Sequence, residues 1–153
     1  MKSIFIILLL SFPMLGFTEN ALELHLVVNR SLDGTIYFKY LKIDRVVSLS
    51  RASGSLDDSG IMGEFENIPI DPSTANTIES LFKKIELSKL ENLKNELSAD
   101  GSAWALAAKL EGGETVDFVV YNPSLARETS ESKKLYLLGS YLWNVTRTKG
   151  TLY

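Results

Sequence analysis

The sequence predicts an α+β protein in which two helices pack on an antiparallel sheet of five or six strands. Three observations predict it. Short segments that alternate apolar and polar residues are separated by turn residues in the first half of the chain. Two later segments, 71–85 and 132–146, carry apolar residues at helical spacing. Between them the stretch 100–123 has the pattern of a β-hairpin. The resulting order is strands, helix, hairpin, helix, and an antiparallel sheet with helices on one face is the arrangement that buries the apolar side of each element.

The first eighteen residues have the pattern of a secretory signal peptide. Lys2 precedes the apolar run Ile4–Leu10, and Pro13 interrupts its continuation. The run is shorter than the roughly 20 residues that a membrane-spanning helix needs. Small residues at Gly16 and Thr18 favour cleavage after Thr18; without cleavage the segment would be a membrane tether. We therefore expect a signal peptide at 1–18 and one domain at 19–153, periplasmic or secreted, with no stable membrane span after cleavage.

The first half of the chain predicts four strands, at 22–29, 35–43, 45–52 and 61–68. The first alternates and places the only histidine, His25, on the polar, solvent-facing side. The second has apolar residues on both faces, which favours an interior strand or a strand with one end buried from above. In the third, Val47 and Leu49 point inward. The fourth is weaker, with Gly63 as a candidate bulge, and the residues between the third and fourth, 53–60, have the composition of a loop.

Two helices follow from caps and periodicity. Asp71 is a good N-cap and Pro72 suits the first helical position. One apolar stripe then runs along the helix: Ile78, Leu81, Phe82 and Ile85. Segment 86–97 predicts an irregular turn or a short second helix. The last helix, Ser132–Thr146, has apolar residues nearly all round its axis, so we expect more than one of its faces to be covered.

The length of the hairpin loop decides which side chains share a face. A two-residue loop pairs Leu106 with Val119, whereas a three-residue loop, Glu111–Gly113, makes one face wholly apolar. The three-residue loop gives the pairs Trp104–Val120, Leu106–Phe118 and Ala108–Val116. Burial selects this register, because a slip by one residue moves every side chain to the other face. Gly113 then takes the left-handed conformation that follows a type I turn in such loops.

Composition excludes several classes of function. The net charge of −3 and the absence of a basic patch argue against a nucleic-acid partner. No cysteine is present, which excludes a lipobox, disulfides and thiolate sites. A single histidine excludes multi-histidine metal sites. We therefore expect neither a metal nor another cofactor.

Three groups of residues have a weak resemblance to reactive sites. His25 would have to serve any catalytic triad, yet no nucleophile elbow accompanies it. Glu64 and Glu66 lie two apart on a predicted strand and share a face, as paired catalytic carboxylates would, but charges on a wet strand face give the same pattern. Asp57 and Asp58 offer oxygen ligands without the spacing of a calcium loop, so a plain turn is favoured. The sequence thus shows no catalytic constellation.

The aromatic residues of the last helix are the candidate partner-binding residues: Tyr136, Tyr141 and Trp143. At 100° per residue they cannot all point the same way. Tyrosine and tryptophan are common anchors at interfaces and equally common in cores. Core packing and a binding surface are therefore both open.

Several short motifs resemble one group of proteins. They are Asp100-Gly101 with Trp104 and Leu106, then Tyr121-Asn122-Pro123, then Tyr136-Leu137-Leu138. Together they resemble small, exported, uncharacterised bacterial proteins with the pattern DGxxWxLE … WxP … LYLL. The chain departs from that pattern with Ala107 in place of an acidic residue and Tyr121 in place of tryptophan. The resemblance implies export and this fold, and it implies no activity.

We therefore expect an exported, non-catalytic binding protein whose partner is another envelope or secreted protein, including a toxin or enzyme that it inhibits. One alternative is a carboxylate-dependent hydrolase of an envelope polymer that uses Glu64 or Glu66. A second alternative is a structural envelope protein that self-associates.

Overall fold

The fold is available as a computed structural model, which describes residues 21–30, 34–54, 56–57, 60–61, 64–90, 102–110, 112–121, 123 and 130–148. The predicted signal peptide and its cleavage site, Gly63, Asp58, Asp100 and residues 91–97 lie outside the described residues. Among the described helices, none combines the length and the apolar character needed to span a membrane.

Six antiparallel strands form the main sheet, which confirms the predicted α+β class. They are β1 (Ala21–Arg30), β2 (Gly34–Ile43), β3 (Val46–Gly54), β6 (Glu66–Ile68), β7 (Ala103–Lys109) and β8 (Thr115–Tyr121). Their order across the sheet is β6-β3-β2-β1-β7-β8. A separate pair, β4 (Leu56–Asp57) and β5 (Gly60–Ile61), forms between β3 and β6. The described helices are α1 (Pro72–Lys83), α2 (Leu87–Leu90) and α3 (Glu131–Val145).

The helices cover one face of the sheet, and the main core lies between the helices and that face. The alternating leucines and valine of β1 point into it, as the sequence predicts: Leu22, Leu24, Leu26 and Val28. The interior position predicted for the second strand is confirmed, since β2 lies between β1 and β3. On the opposite face a smaller apolar cluster joins Val27, Tyr37, Ala52 and Ala105.

The predicted register of the β7–β8 hairpin is confirmed. Trp104 pairs with Val120, Leu106 with Phe118 and Ala108 with Val116. The turn differs in one respect. Gly113 has the predicted positive φ, 87°, but Gly112 also has a positive φ, 98°. A type I turn needs negative φ at both central residues, so the predicted type I turn is wrong. Because both glycines have positive φ, no other residue type fits there without strain.

Helix α1 begins where its cap predicts. The Asp71 carboxylate accepts a hydrogen bond from the backbone N–H of Thr74 at 2.7 Å, and Pro72 is the first helical residue. Ile78 and Phe82 are buried against the sheet, as is Ile85 just beyond the helix. The short second helix predicted within 86–97 corresponds to α2.

The fourth predicted strand, 61–68, is interrupted. Ile61 belongs to β5, Glu64 and Phe65 are not in a strand, and Glu66–Ile68 pairs with β3 as β6. β6 ends at Ile68, where the sequence predicts the end, because Pro69 has no N–H for a ladder. Upstream, Phe65 leaves the sheet plane and packs its ring edge-on against Tyr37, with centroids 5.2 Å apart. The predicted loop at 53–60 also differs, since β3 continues to Gly54 and the pair β4–β5 comes after it.

Candidate functional site: a buried polar cluster and an open sheet edge

Four polar side chains meet on the sheet face that lies opposite the helices. Glu23 and His25 come from β1, and Tyr37 and Lys39 come from β2; we call them the His25 cluster. Nε2 of His25 lies 2.8 Å from Oε1 of Glu23, and Nζ of Lys39 lies 2.8 Å from the same oxygen. The other ring nitrogen of His25, Nδ1, is hydrogen-bonded to the Tyr37 hydroxyl.

The predicted solvent exposure of His25 is wrong, because this residue is only 4% exposed. Alternation along β1 does place it on the polar face, but that face is covered at this point. Tyr37 packs edge-on against the imidazole, with ring centroids 5.6 Å apart, and the apolar cluster of Val27 and Ala105 lies on the same face. The pairing of the strands supplies what the pattern of β1 alone lacks: β2 pairs with β1 so that Lys39 stands opposite His25 and Tyr37 stands opposite Val27, one same-face position further along.

The cluster fixes the charge state of its carboxylate and phenol. The hydrogen bond to His25 is the main reason that the pKa of Glu23 falls to about 2; Lys39 adds to it, and burial opposes both. Burial raises the pKa of Tyr37 above its ordinary value, and the negative charge of Glu23 raises it further. At neutral pH Glu23 is therefore ionised and Tyr37 keeps its proton.

The order carboxylate, imidazole, hydroxyl is that of a nucleophilic triad, but the hydroxyl does not suit that role. A nucleophile needs a lowered pKa or a base that can take its proton in reach of a substrate. Tyr37 has a raised pKa, is 5% exposed and has the ring of Phe65 against it. The His25 cluster is therefore best explained as a hydrogen-bonded anchor between β1 and β2.

A second polar group connects the sheet to α1. The Tyr40 hydroxyl donates to Oε1 of Glu79 at 2.8 Å, and Lys42 Nζ donates to Oε2 at 2.8 Å. Burial alone would raise the pKa of Glu79, but the hydrogen bonds from Lys42 and Tyr40 outweigh it and lower that pKa. Burial, together with Glu79, raises the pKa of Tyr40. These contacts hold α1 at one position on β2.

The three aromatic residues predicted as partner-binding do not form one exposed patch. Trp143 is 6% exposed and meets Phe38 edge-on in the main core, with Arg30 over its ring at 5.0 Å. Tyr136 is half-buried beside Trp104, with centroids 5.8 Å apart. Tyr141 is also half-buried against the core. Of the two interpretations that the sequence left open, Trp143 has the core role.

The two glutamates of the hydrolase alternative do not share a strand face, because Glu64 precedes β6. Both are exposed. Glu66 forms an ion pair with Arg51, whose guanidinium also donates to the carbonyl of Thr146 at 2.9 Å. This pair connects β6 and β3 to the end of α3. Two shallow depressions along α1 share Asn76, Ser80 and Lys84, and neither includes Glu64 or Glu66.

Asp57 lies in the short strand β4. Within the part of the chain that the structure describes, no three histidine, cysteine, aspartate or glutamate side chains are grouped as metal ligands would be.

The edge strand β8 presents backbone groups that pair with nothing among the described residues. The Leu110 N–H donates to the Glu114 carbonyl at 2.7 Å, which marks a hydrogen-bonded pair. Hydrogen-bonded and non-bonded pairs alternate along an antiparallel ladder. The residues in the non-bonded pairs direct their N–H and C=O groups away from β7: Thr115, Asp117, Val119 and Tyr121.

Among the described residues, the opposite edge of the sheet, β6, is better protected against pairing than β8. Strand β6 has three residues, its Glu66 is paired with Arg51, and Pro69 comes directly after it. Short length, charge and proline are the usual means of protecting an edge strand. β8 has seven residues and neither lysine nor proline, and its one charged side chain is Asp117. It is the long edge at which a further strand can be added.

A scan against protein-family models and a search of curated proteins each found no match. The resemblance to exported bacterial proteins therefore stays a prediction.

Proposed function

We propose that this chain is an exported, non-catalytic interaction protein that binds another envelope or secreted protein by adding that partner's strand to β8. The observation that carries the proposal is the less protected edge, β8, with four residues whose backbone groups point outward. Main-chain hydrogen bonds to such an edge provide affinity, and alternate side chains provide specificity.

The side chains that could perform chemistry support the same proposal. His25 and Tyr37 are buried in a hydrogen-bonded cluster, and Glu79 is engaged by Tyr40 and Lys42. Glu66 is paired with Arg51 on the surface. No specific contact among the described residues favours the hydrolase alternative over the binding role.

A capture experiment with an edge variant tests the proposal. The purified wild-type chain and Val119→Pro are each immobilised and exposed to the same envelope extract. The Val119 N–H points away from β7, so proline there removes an outward donor without removing a ladder bond. We expect a protein that is retained by the wild type and by the control Glu64→Gln, but lost with Val119→Pro.

Two outcomes would contradict the proposal. Retention of the same proteins by wild type and Val119→Pro, with both chains folded by circular dichroism, would rule out the edge as the binding site. Cleavage of an envelope polymer by the wild type that is lost in Glu64→Gln or Glu66→Gln would establish the hydrolase alternative. Sedimentation at rising concentration checks the third alternative, because a self-associating protein would increase in mass.

A further inference from the structure

The open edge is acidic at its start. Glu114 precedes β8 and Asp117 lies within it, and both side chains are exposed. The strand itself contains no basic residue. The nearby cation Lys109 lies on β7, one strand inward, where it pairs with Thr115 of β8 on one side and with Glu23 of β1 on the other. The side chains nearest the open edge therefore present negative charge.

From this charge, and resting on the proposed function, we infer that the strand that pairs with β8 is an extended basic segment of a different protein, with a lysine or arginine opposite Asp117. An added strand places one residue directly across from each outward-facing residue of β8. Opposite charges in such cross-strand pairs attract, and like charges repel. Asp117 therefore selects a cation at one position of the incoming strand.

The other face of the incoming strand meets apolar surface. Phe118 and Val120 are buried on the helix side of β8, and Val116 is half-buried there. A neighbouring strand with apolar side chains on that face would continue the core outward and cover Val116. The segment is thus expected to alternate, with apolar residues towards the helices and polar or basic residues on the opposite side.

A second copy of this chain fits the edge less well than such a segment. A two-fold pairing centred on Asp117 sets the two carboxylates directly opposite each other. A pairing centred on Phe118 sets Asp117 against Val119 and leaves the two carboxylates diagonal neighbours on one face. Either pairing would join two six-stranded sheets into one of twelve strands, and open twisted sheets rarely exceed about 10 strands.

Hydrogen exchange of the purified chain tests whether the edge is open. The amides of Val116, Phe118 and Val120 bond to β7 and are expected to exchange slowly. The amides of Asp117 and Val119 point outward and are expected to exchange fast. Slow exchange at both of these amides in dilute protein would overturn the inference, because something would already cover the edge.

A pair of peptides tests the charge preference. The probe is an acetylated and amidated peptide of about seven residues, long enough to pair along the whole strand. It alternates valine and threonine with lysine at its centre, and the control peptide has glutamate there. We expect the lysine peptide to slow exchange at Asp117 and Val119 and to bind several-fold more tightly, about fivefold at most for one exposed pair. Alternate N-methylation of the lysine peptide should abolish binding, since it removes the backbone donors.

Charge reversal completes the test. Asp117→Lys should invert the preference in favour of the glutamate peptide, while the matched surface variant Glu64→Lys should leave it unchanged. Equal binding of both peptides by the wild type, or no inversion of the preference in Asp117→Lys, would overturn the inference that the partner strand is basic. The edge of β8 would still be the binding site. Binding of neither peptide overturns the inference too, and a partner lost in Val119→Pro would then still support the proposed function.

Discussion

Gly139 on α3 lies directly against the indole of Trp104. A Cβ atom added at Gly139 would stand 2.7 Å from Cη2 of Trp104 and 3.2 Å from Cδ2 of Leu26. We predict that Gly139→Ala lowers the free energy of unfolding, because overpacking a filled core costs about 1–3 kcal/mol. Alanine in a helix interior offsets about 1 kcal/mol of that cost, so the expected net loss is up to about 2 kcal/mol. Urea unfolding measures it.

Two variants separate the close contact from a general effect on α3. Asn144→Ala changes an exposed position of the same helix and should leave stability equal or slightly higher. Trp104→Phe removes part of the ring that faces Gly139, so the double variant should be less destabilised than the sum of the single ones. A Gly139→Ala chain as stable as Asn144→Ala would show that the helix does not approach so closely.

The His25 cluster predicts a loss of stability in acid. Glu23 has a pKa of about 2 in the folded chain against an ordinary 4.5. Its contribution, on the order of 2 kcal/mol once solvent screening of a partly exposed group is allowed for, is therefore complete above about pH 5. Below that pH the unfolded chain takes up a proton that the folded chain does not, so the contribution falls away towards about pH 2.

Comparing wild type with Glu23→Gln isolates this contribution. The difference in unfolding free energy between the two should be largest above about pH 5 and should shrink as the pH falls towards about 2. Glu64→Gln, a change at an exposed position, is the control and should alter the free energy of unfolding only slightly. A constant difference for Glu23→Gln across roughly pH 2 to 6 would show that the pKa of Glu23 is not lowered by folding.

Alkaline pH should destabilise the chain through Tyr37 and Tyr40. Burial raises the pKa of both phenols above the ordinary 10.0. Above about pH 10 the unfolded chain therefore releases protons that the folded chain retains, and stability falls as the pH rises. The ultraviolet absorbance of tyrosinate should show two of the six tyrosines ionising only as the chain unfolds. Tyr37→Phe should make the free energy of unfolding fall less steeply with pH above about 10. An unchanged pH dependence would contradict a raised pKa of Tyr37 in the folded chain.

The fold followed from the sequence where burial acted on many residues at once. Along β7 and β8 only one register keeps Trp104, Leu106 and Phe118 on a common apolar face, and that register is the one observed. The start of α1 at Asp71 was equally clear, because cap, proline and apolar stripe all agreed.

The sites were harder to predict because they depend on pairing between distant strands. His25 is covered by Tyr37 of β2, and Tyr37 is in turn covered by Phe65 from the segment before β6. The edge at β8 depends on strand order, because the hairpin pattern does not say which side of it faces β1. Local patterns contain neither fact.

Export can be checked by the mass of the mature chain. If the predicted signal peptide is cleaved after Thr18, the protein recovered from an exporting bacterial host begins at Glu19. Replacing both Gly16 and Thr18 with large residues should block cleavage, because the peptidase requires small side chains there. Recovery of the wild-type chain with Met1 intact in the membrane fraction would instead indicate the tether.

We predict that the contribution of Tyr40 to the free energy of unfolding depends on Glu79, because the Glu79 carboxylate accepts hydrogen bonds from both Tyr40 and Lys42. Glu79→Leu leaves a buried hydroxyl and a half-buried ammonium without their acceptor, so we expect a cost of about 2–3 kcal/mol in urea unfolding. Adding Tyr40→Phe removes the stranded hydroxyl and should restore part of that loss. The control pair is Glu79→Leu with Tyr37→Phe, whose effects should add because Tyr37 bonds to His25 on the other sheet face. If the losses of unfolding free energy from Tyr40→Phe and Glu79→Leu simply add in the double variant, the hydrogen bond between Tyr40 and Glu79 does not hold α1 on β2.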